Sequence, residues 1–211
     1  MDIKNEQSME HTILEVAEKL FLEKGFALTS TTEIAKEVGC NQALVHYYFR
    51  TKDNLFNIIF EKKIKLFFQE IFEIKDLRNL SFLDKLKCII ESHFDLLRKN
   101  PKMPSLILNE LSRQPEQLKI LRDKLHVLPE QIFTKMNEEL QIEITNNRIR
   151  NISLIDLIFS MISLNVAMFV MMPVVETILS LSENQKEFMI QHRRAENVDF
   201  IIKSLRTELK K

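Results

Sequence analysis

Two glycines in 211 residues, Gly25 and Gly39, constrain this chain more than any other feature. Glycine supplies the positive-φ positions of tight hairpins and lets backbone approach a phosphate closely. With two of them, no P-loop, dinucleotide fingerprint or nucleophile elbow can be written anywhere in the sequence. A sandwich or barrel with many tight turns is disfavoured on the same ground. The expectation is an all-α fold. A composition 28% charged and 45% hydrophobic is that of a soluble globular chain, long enough for one good-sized domain or two small ones.

Cysteine and histidine spacing removes further classes. Cys40 and Cys88 are isolated, so neither a zinc ribbon nor a disulfide framework is available, and two free thiols suit a reduced, cytoplasmic setting. His11, His46, His93, His126 and His192 form no HExxH, HxxxH or ExxH spacing. No paired carboxylates or activated nucleophile stand out, and the expectation is no metal, no cofactor and no enzyme. The polar start, MDIKNEQSMEH, is not a secretory signal. One stretch, Leu157 to Val175, runs 19 residues without a charge, near the lower limit for spanning a bilayer. Asp156, Asn165 and Pro173 argue instead for a helix buried on most of its surface, in a core or a subunit interface, with no membrane partner.

The apolar period of 3.6 divides the chain into about nine helices. The first carries Ile13, Leu14, Ala17, Leu20 and Phe21 and stops at Gly25, a left-handed C-cap. Ser30-Thr31-Thr32-Glu33 reads as a capping box opening a second, which ends at Gly39. Asn41 caps a third, with Val45, Tyr48 and Phe49 inward. Longer helices are expected over 53–74, from Phe82 to about residue 99, over 105–113 and 116–140, then over 153–180 and 184–208. Segment 141–151 reads as a connection, and Ser182 to Gln185 as another possible capping box.

Residues 31–49 carry the function. A helix-turn-helix needs a small residue where its helices cross, a glycine four positions later in the turn, and apolar residues at fixed offsets. Ala35 and Gly39 have that separation, and Ile34, Val38, Cys40, Val45 and Tyr48 fall on the apolar offsets.

With Gly25-Phe26, Thr29-Ser30-Thr31-Thr32, Ile34-Ala35, Gly39, Leu44-Val45-His46-Tyr47-Tyr48-Phe49, Lys52 and Leu55, the chain over roughly residues 10–60 resembles the TetR-type (TetR/AcrR) transcriptional regulators. The resemblance implies a three-helix DNA-binding domain over 1–54 joined to a larger helical effector-binding and dimerisation domain over 55–211. It places Gln42, Ala43, Leu44, His46 and Tyr47 on the major-groove side of the recognition helix. Gln42 can pair with an adenine edge, and Ala43 can contact a thymine methyl. Thr31 and Thr32, at a helix N-terminus, suit a phosphate, and Lys52 is placed to hold the DNA backbone. The family most often has tyrosine where this chain has His46, and histidine makes that contact sensitive to pH near neutrality.

Charge argues less strongly for DNA. Residues 1–54 hold six Lys/Arg against nine Asp/Glu, a net of −3, so nonspecific binding is expected to be weak and strongly salt-dependent, and a dimer is needed for useful affinity. The last two helices are the candidates for that homodimer, through Met161, Met168, Met171, Val198, Ile202 and Leu205. A two-fold dimer matches a palindromic operator in double-stranded DNA, with half-sites about 34–36 Å apart or a multiple of that. Fifteen phenylalanines and nine methionines point to an adaptable apolar interior, within which His93, Asn109, Glu110, Asp156 and Asn165 are candidate orienting groups for a small effector. Each also has a plainer reading as a satisfied core residue or a helix cap. The leading expectation is a dimeric repressor released from its operator by a small, largely apolar molecule. The alternative is a helical interaction module whose helix-turn-helix no longer binds DNA.

Overall fold

The computed structural model of the chain describes residues 3–72, 80–113 and 129–207. Among them are nine helices and no strand: α1 (Ile3–Lys24), α2 (Thr31–Val38), α3 (Gln42–Phe49), α4 (Lys52–Phe72), α5 (Phe82–Lys99), α6 (Met103–Arg113), α7 (Pro129–Thr145), α8 (Leu154–Leu179) and α9 (Glu183–Ser204). The all-α expectation holds. Two compact units form, one from residues 1–66 with 105–121 and the other from 67–104 with 122–211.

In the first unit, α1, α2, α3 and the start of α4 close over one apolar cluster. Ile13, Ala17, Leu20 and Phe21 of α1 meet Ile34 and Ala35, Val45 and Phe49, and Leu55 and Phe56. Phe21, Phe26 and Phe56 pack edge-on or tilted at 5.2–5.6 Å between ring centroids, the arrangement the ring quadrupole favours. Gly25 and Gly39 both adopt the left-handed conformation, at φ +81° and +79°, where a Cβ would be strained. Ser30 and Asn41 cap α2 and α3 by accepting the N–H of Glu33 and Leu44 at 3.1 and 2.8 Å. The buried core of this unit continues through Leu55, Phe56, Ile59 and Phe60.

In the second unit, α5, α8 and α9 pack on one another. The stripe read on α5 is buried at Phe82, Leu86, Ile89, Ile90, His93, Phe94 and Leu97. Ser153 caps α8, and Ser182 with Gln185 forms a complete capping box on α9. Arg194 of α9 grips both oxygens of Asp95 on α5 at 2.8 and 2.7 Å and reaches Glu91 at 3.1 Å.

Two expectations, both of helix ends, need correction. Helix α7 runs on through 141–145, because Leu140 and Ile144 still face the apolar cluster, and the connection begins only afterwards. Helix α9 ends at Ser204, not 208, where Arg150 takes its last carbonyls: the Arg150 N–H donates to Leu205 O and Nε donates to Ser204 O. The chain's own core covers little of α8, since only 22% of its most apolar stretch is buried, although its length and composition suit a membrane span. The start of the helix expected over 116–140 lies outside the described residues.

Candidate nucleic-acid interface

The N-terminal ends of α2 and α3 create the site. Asn41 fixes the first turn of α3 and leaves Gln42, Ala43, His46 and Tyr47 exposed, while Val45 and Phe49 anchor the opposite face in the core. Spacings of four residues put Gln42 with His46, and Ala43 with Tyr47, in rows along one side of the helix. Leu44 is half-buried. Tyr47 stands 64% exposed, its ring edge-on to Tyr48 at 5.3 Å, so its position is braced by a neighbour. On α2, Thr32 is exposed and Thr31 is half-buried. The Gln42 amide donates to the Thr31 hydroxyl at 3.0 Å and joins the two helices at this surface.

Lys52 has a structural task beside any DNA contact. Its ammonium donates to the carbonyls of Phe26 and Thr29, both at 2.9 Å, and lies 4.2 Å from the centre of the Phe26 ring. Thr29, itself buried, donates to Gly25 O at 2.9 Å. Together they close the turn between α1 and α2, and one of the three Lys52 N–H groups is left for a phosphate.

Three other cations of this unit face acids. Lys24 pairs with Glu33, Lys19 with Glu37 at 3.6 Å and Lys63 with Glu18 at 2.6 Å. The Lys24 hydrogen bond holds the Glu33 carboxyl below its usual range, with a smaller contribution from the Ser30 N–H. Lys36 and Arg50, both exposed, have no acidic partner among the described residues. Sequence reading passed over Arg50. It caps α3 at φ +63° and ψ −57°, with the Thr51 N–H donating to Phe49 O at 2.7 Å, a strained γ-turn in a residue that is not glycine. Nothing in the local sequence signals that geometry. Burial raises the Cys40 thiol above its ordinary value, which keeps it protonated at neutral pH and speaks against a redox switch there.

The candidate effector residues separate. His93 and Asn165 come together in the core of the second unit: Asn165 Nδ2 donates to Ile90 O at 2.9 Å and stands 3.0 Å from His93 Nδ1. Asn197, which sequence reading missed, joins them by donating to Asn165 Oδ1 at 2.9 Å, and its own oxygen is buried without a partner. Its signal was readable: position 197 lies seven after Ile190 and four before Ile201, on the buried stripe of α9. Burial pushes the His93 imidazole down to about 4, so the ring is neutral. Asp156 is exposed in the first turn of α8, its N–H donating to Ser153 Oγ at 3.1 Å while its carboxylate accepts from that hydroxyl at 2.7 Å. Asn109 is exposed on α6, and the Glu110 side chain lies outside the described residues.

The candidate dimer residues also divide. Met161, Val198 and Leu205 are buried in the chain's own core, Met168 and Ile202 are half-buried, and Met171 is exposed. Large apolar side chains that do face outward on α8 and α9 include Ile155, Phe159, Ile178, Phe188 and Phe200, none of them less than 66% exposed.

A capped helix pair with a glycine turn, presenting short polar and aromatic side chains on its second helix, has the form of a helix-turn-helix. The model of the family described as bacterial regulatory proteins, tetR family, matches residues 13–59, so this segment, under a quarter of the chain, is similar to that family. Over 89 residues it is 33% identical to the nucleoid occlusion factor SlmA of Mannheimia succiniciproducens, a match covering 42% of this chain and 40% of that protein. Over 122 residues it is 25% identical to the fatty acid metabolism regulator protein of Bacillus subtilis, covering 55% and 62%. The chain thus spans less than two thirds of the length of either curated relative. A crystal structure of a tetR-family regulatory protein from Rhodococcus RHA1 shares the fold at 18% identity, with a TM-score of 0.73 over 94% of this chain and 97% of that one.

Proposed function

We propose that this chain is a sequence-specific, homodimeric DNA-binding regulator of transcription, a repressor released from its operator by a small, largely apolar effector. The observation that carries the reading is the exposed row Gln42, Ala43, His46 and Tyr47 on a helix whose N-terminus is capped beside Thr31 and Thr32. These side chains match base edges, while the hydroxyls and the single remaining N–H of Lys52 suit phosphates. A functional boundary after residue 54 separates this surface from the effector-binding and dimerising remainder. Exposed Phe159, Met171 and Phe200 support a partner copy along α8 and α9. An apolar effector is in keeping with the relative named for fatty acid metabolism. Its binding would bias the two units through α4, whose residues 52–66 belong to one and 67–72 to the other. The setting proposed is the cytoplasm.

Selection of duplexes from a random DNA pool at moderate salt tests the reading. An enriched palindrome is the expected result, and Gln42→Ala or Tyr47→Ala lowers affinity for it by about tenfold with the dimer intact. If both variants bind like the parent, the assigned face is wrong. A second reading, an interaction module that has lost DNA binding, draws on the net −3 charge of residues 1–54 and on the acid-paired lysines. A folded dimer that enriches no duplex would favour it.

A further inference from the structure

The bond between Thr31 and Gln42 carries the proposed DNA contact further, and the inference rests on that reading. Gln42 is the first residue of α3 and Thr31 the first of α2. Both backbones are fixed at these points, by the Ser30 and Asn41 caps and by the Gly39 turn, where the Cys40 N–H donates to Ala35 O at 2.9 Å. Across this rigid frame the Gln42 Nε2 donates to the Thr31 Oγ1 at 3.0 Å.

We infer that Thr31 is the positioning residue for base reading by Gln42, and that it ties that reading to the DNA backbone. A glutamine amide has two N–H donors and one oxygen. One N–H is taken by Thr31. What remains is one N–H and the oxygen, the donor–acceptor pair that matches N7 and the N6 amino group of adenine. A free exposed glutamine samples many rotamers, and ordering them on binding weakens discrimination. Threonine is β-branched and stiff at χ1, so its hydroxyl is a fixed post. Because that oxygen accepts from Gln42, its own proton is free to point at a phosphate. The phosphate that sets the protein's register is thereby linked through one hydroxyl to the amide that reads the base. Thr31 acts on specificity, where a simple phosphate contact would act on affinity alone.

The test uses the full-length protein and the duplex enriched by selection, with each base pair of the half-site varied in turn. Parent protein prefers A·T at one position, and Gln42→Ala removes that preference. The isosteric Thr31→Val reduces the preference at the same position by roughly threefold to tenfold, Thr31→Ser stays within about twofold of the parent, and the Gln42→Ala/Thr31→Val double variant discriminates no worse than Gln42→Ala. In the free protein, the two Gln42 side-chain amide protons are resolved and slow to exchange by NMR in parent and Thr31→Ser, and collapse to solvent-like values in Thr31→Val. Equal weakening of every duplex by Thr31→Val, with the preference intact, overturns the inference and leaves Thr31 a phosphate contact. A parent without preference at any position, or one that Gln42→Ala does not alter, overturns it through the DNA reading. The NMR result then still reports whether the bond forms, which separates the two failures.

Discussion

The two units of this chain place polarity in opposite ways. In the first, apolar side chains fill the inside, Thr29 is the one polar side chain buried among the described residues, and the outer face of α3 is short, polar and aromatic. In the second, His93, Asn165 and Asn197 lie inside, while Phe159, Phe188 and Phe200 stand 66–72% exposed. A surface proposed for DNA must remain wettable and firm on its own, and here its residues are positioned by caps and turns. A surface proposed to meet a second protein copy can stay apolar, because water would leave it on assembly. Interior polar groups then give the helices behind that surface a defined register, which a uniformly apolar core does not provide.

Four experiments break or sharpen that contrast. The largest effect is expected from Phe159→Lys combined with Phe200→Lys: each lysine stays solvated in the monomer and would be buried unpaired in the dimer. The dimer dissociation constant should rise at least about a hundredfold by sedimentation equilibrium, with helicity unchanged. An unaltered constant would place the partner elsewhere. Next comes acid. The folded-state His93 ring titrates near 4, below its unfolded value, so the unfolded chain binds more protons between those limits. Stability from this residue is complete above about pH 6.5 and is lost as pH falls toward 4, an effect on the order of 3 kcal/mol. Urea melts across that window should flatten in His93→Gln, and an unchanged slope would assign the loss to other groups.

Smaller is Asn197→Ala, which removes an oxygen without a donor but leaves Asn165 Oδ1 unmet. A net loss of about 1–2 kcal/mol in urea melts is expected. A gain would mean that the orphan oxygen outweighs the bond. Smallest is Arg50→Gly. Relief of the strained γ-turn is opposed by the greater unfolded-state freedom of glycine, leaving a stabilisation below about 1 kcal/mol. Destabilisation beyond that would show that the arginine side chain supports the turn.

Legibility in the sequence followed the same division. Helix starts in the first unit were readable because Ser30, Asn41, Gly25 and Gly39 act locally, through their own backbone and side-chain chemistry. The exposed row on α3 followed from the same anchors. What escaped were properties decided by distant partners. Lys52 looked like a free cation, yet two carbonyls 23 and 26 residues earlier hold it. Met161, Val198 and Leu205 looked like interface residues because an apolar stripe does not say whether its own chain or a partner covers it. Asp156 looked like a pocket residue, yet its place three positions after Ser153 makes it the partner of that cap. Asn197 was readable from its position on the stripe, but its partner Asn165, 32 residues earlier, was not. The end of α7 was misjudged because Ile144 points to a core that the polar run around it concealed.

The carbonyl of Ile90 gives the buried trio a direction. A carbonyl only accepts, so Asn165 must turn its NH2 group toward α5, and its oxygen is thereby sent toward α9. Asn197 has to answer with its own NH2, which leaves its oxygen pointing onward with no donor. The same Asn165 NH2 meets His93 Nδ1, so that nitrogen keeps its lone pair and the ring proton sits on Nε2. One main-chain atom therefore settles two amide orientations and a tautomer across three helices. Like a key cut on one side, the chain of amides fits in a single alignment: sliding α8 by one residue takes the donor away from Ile90 and sets like against like along the row.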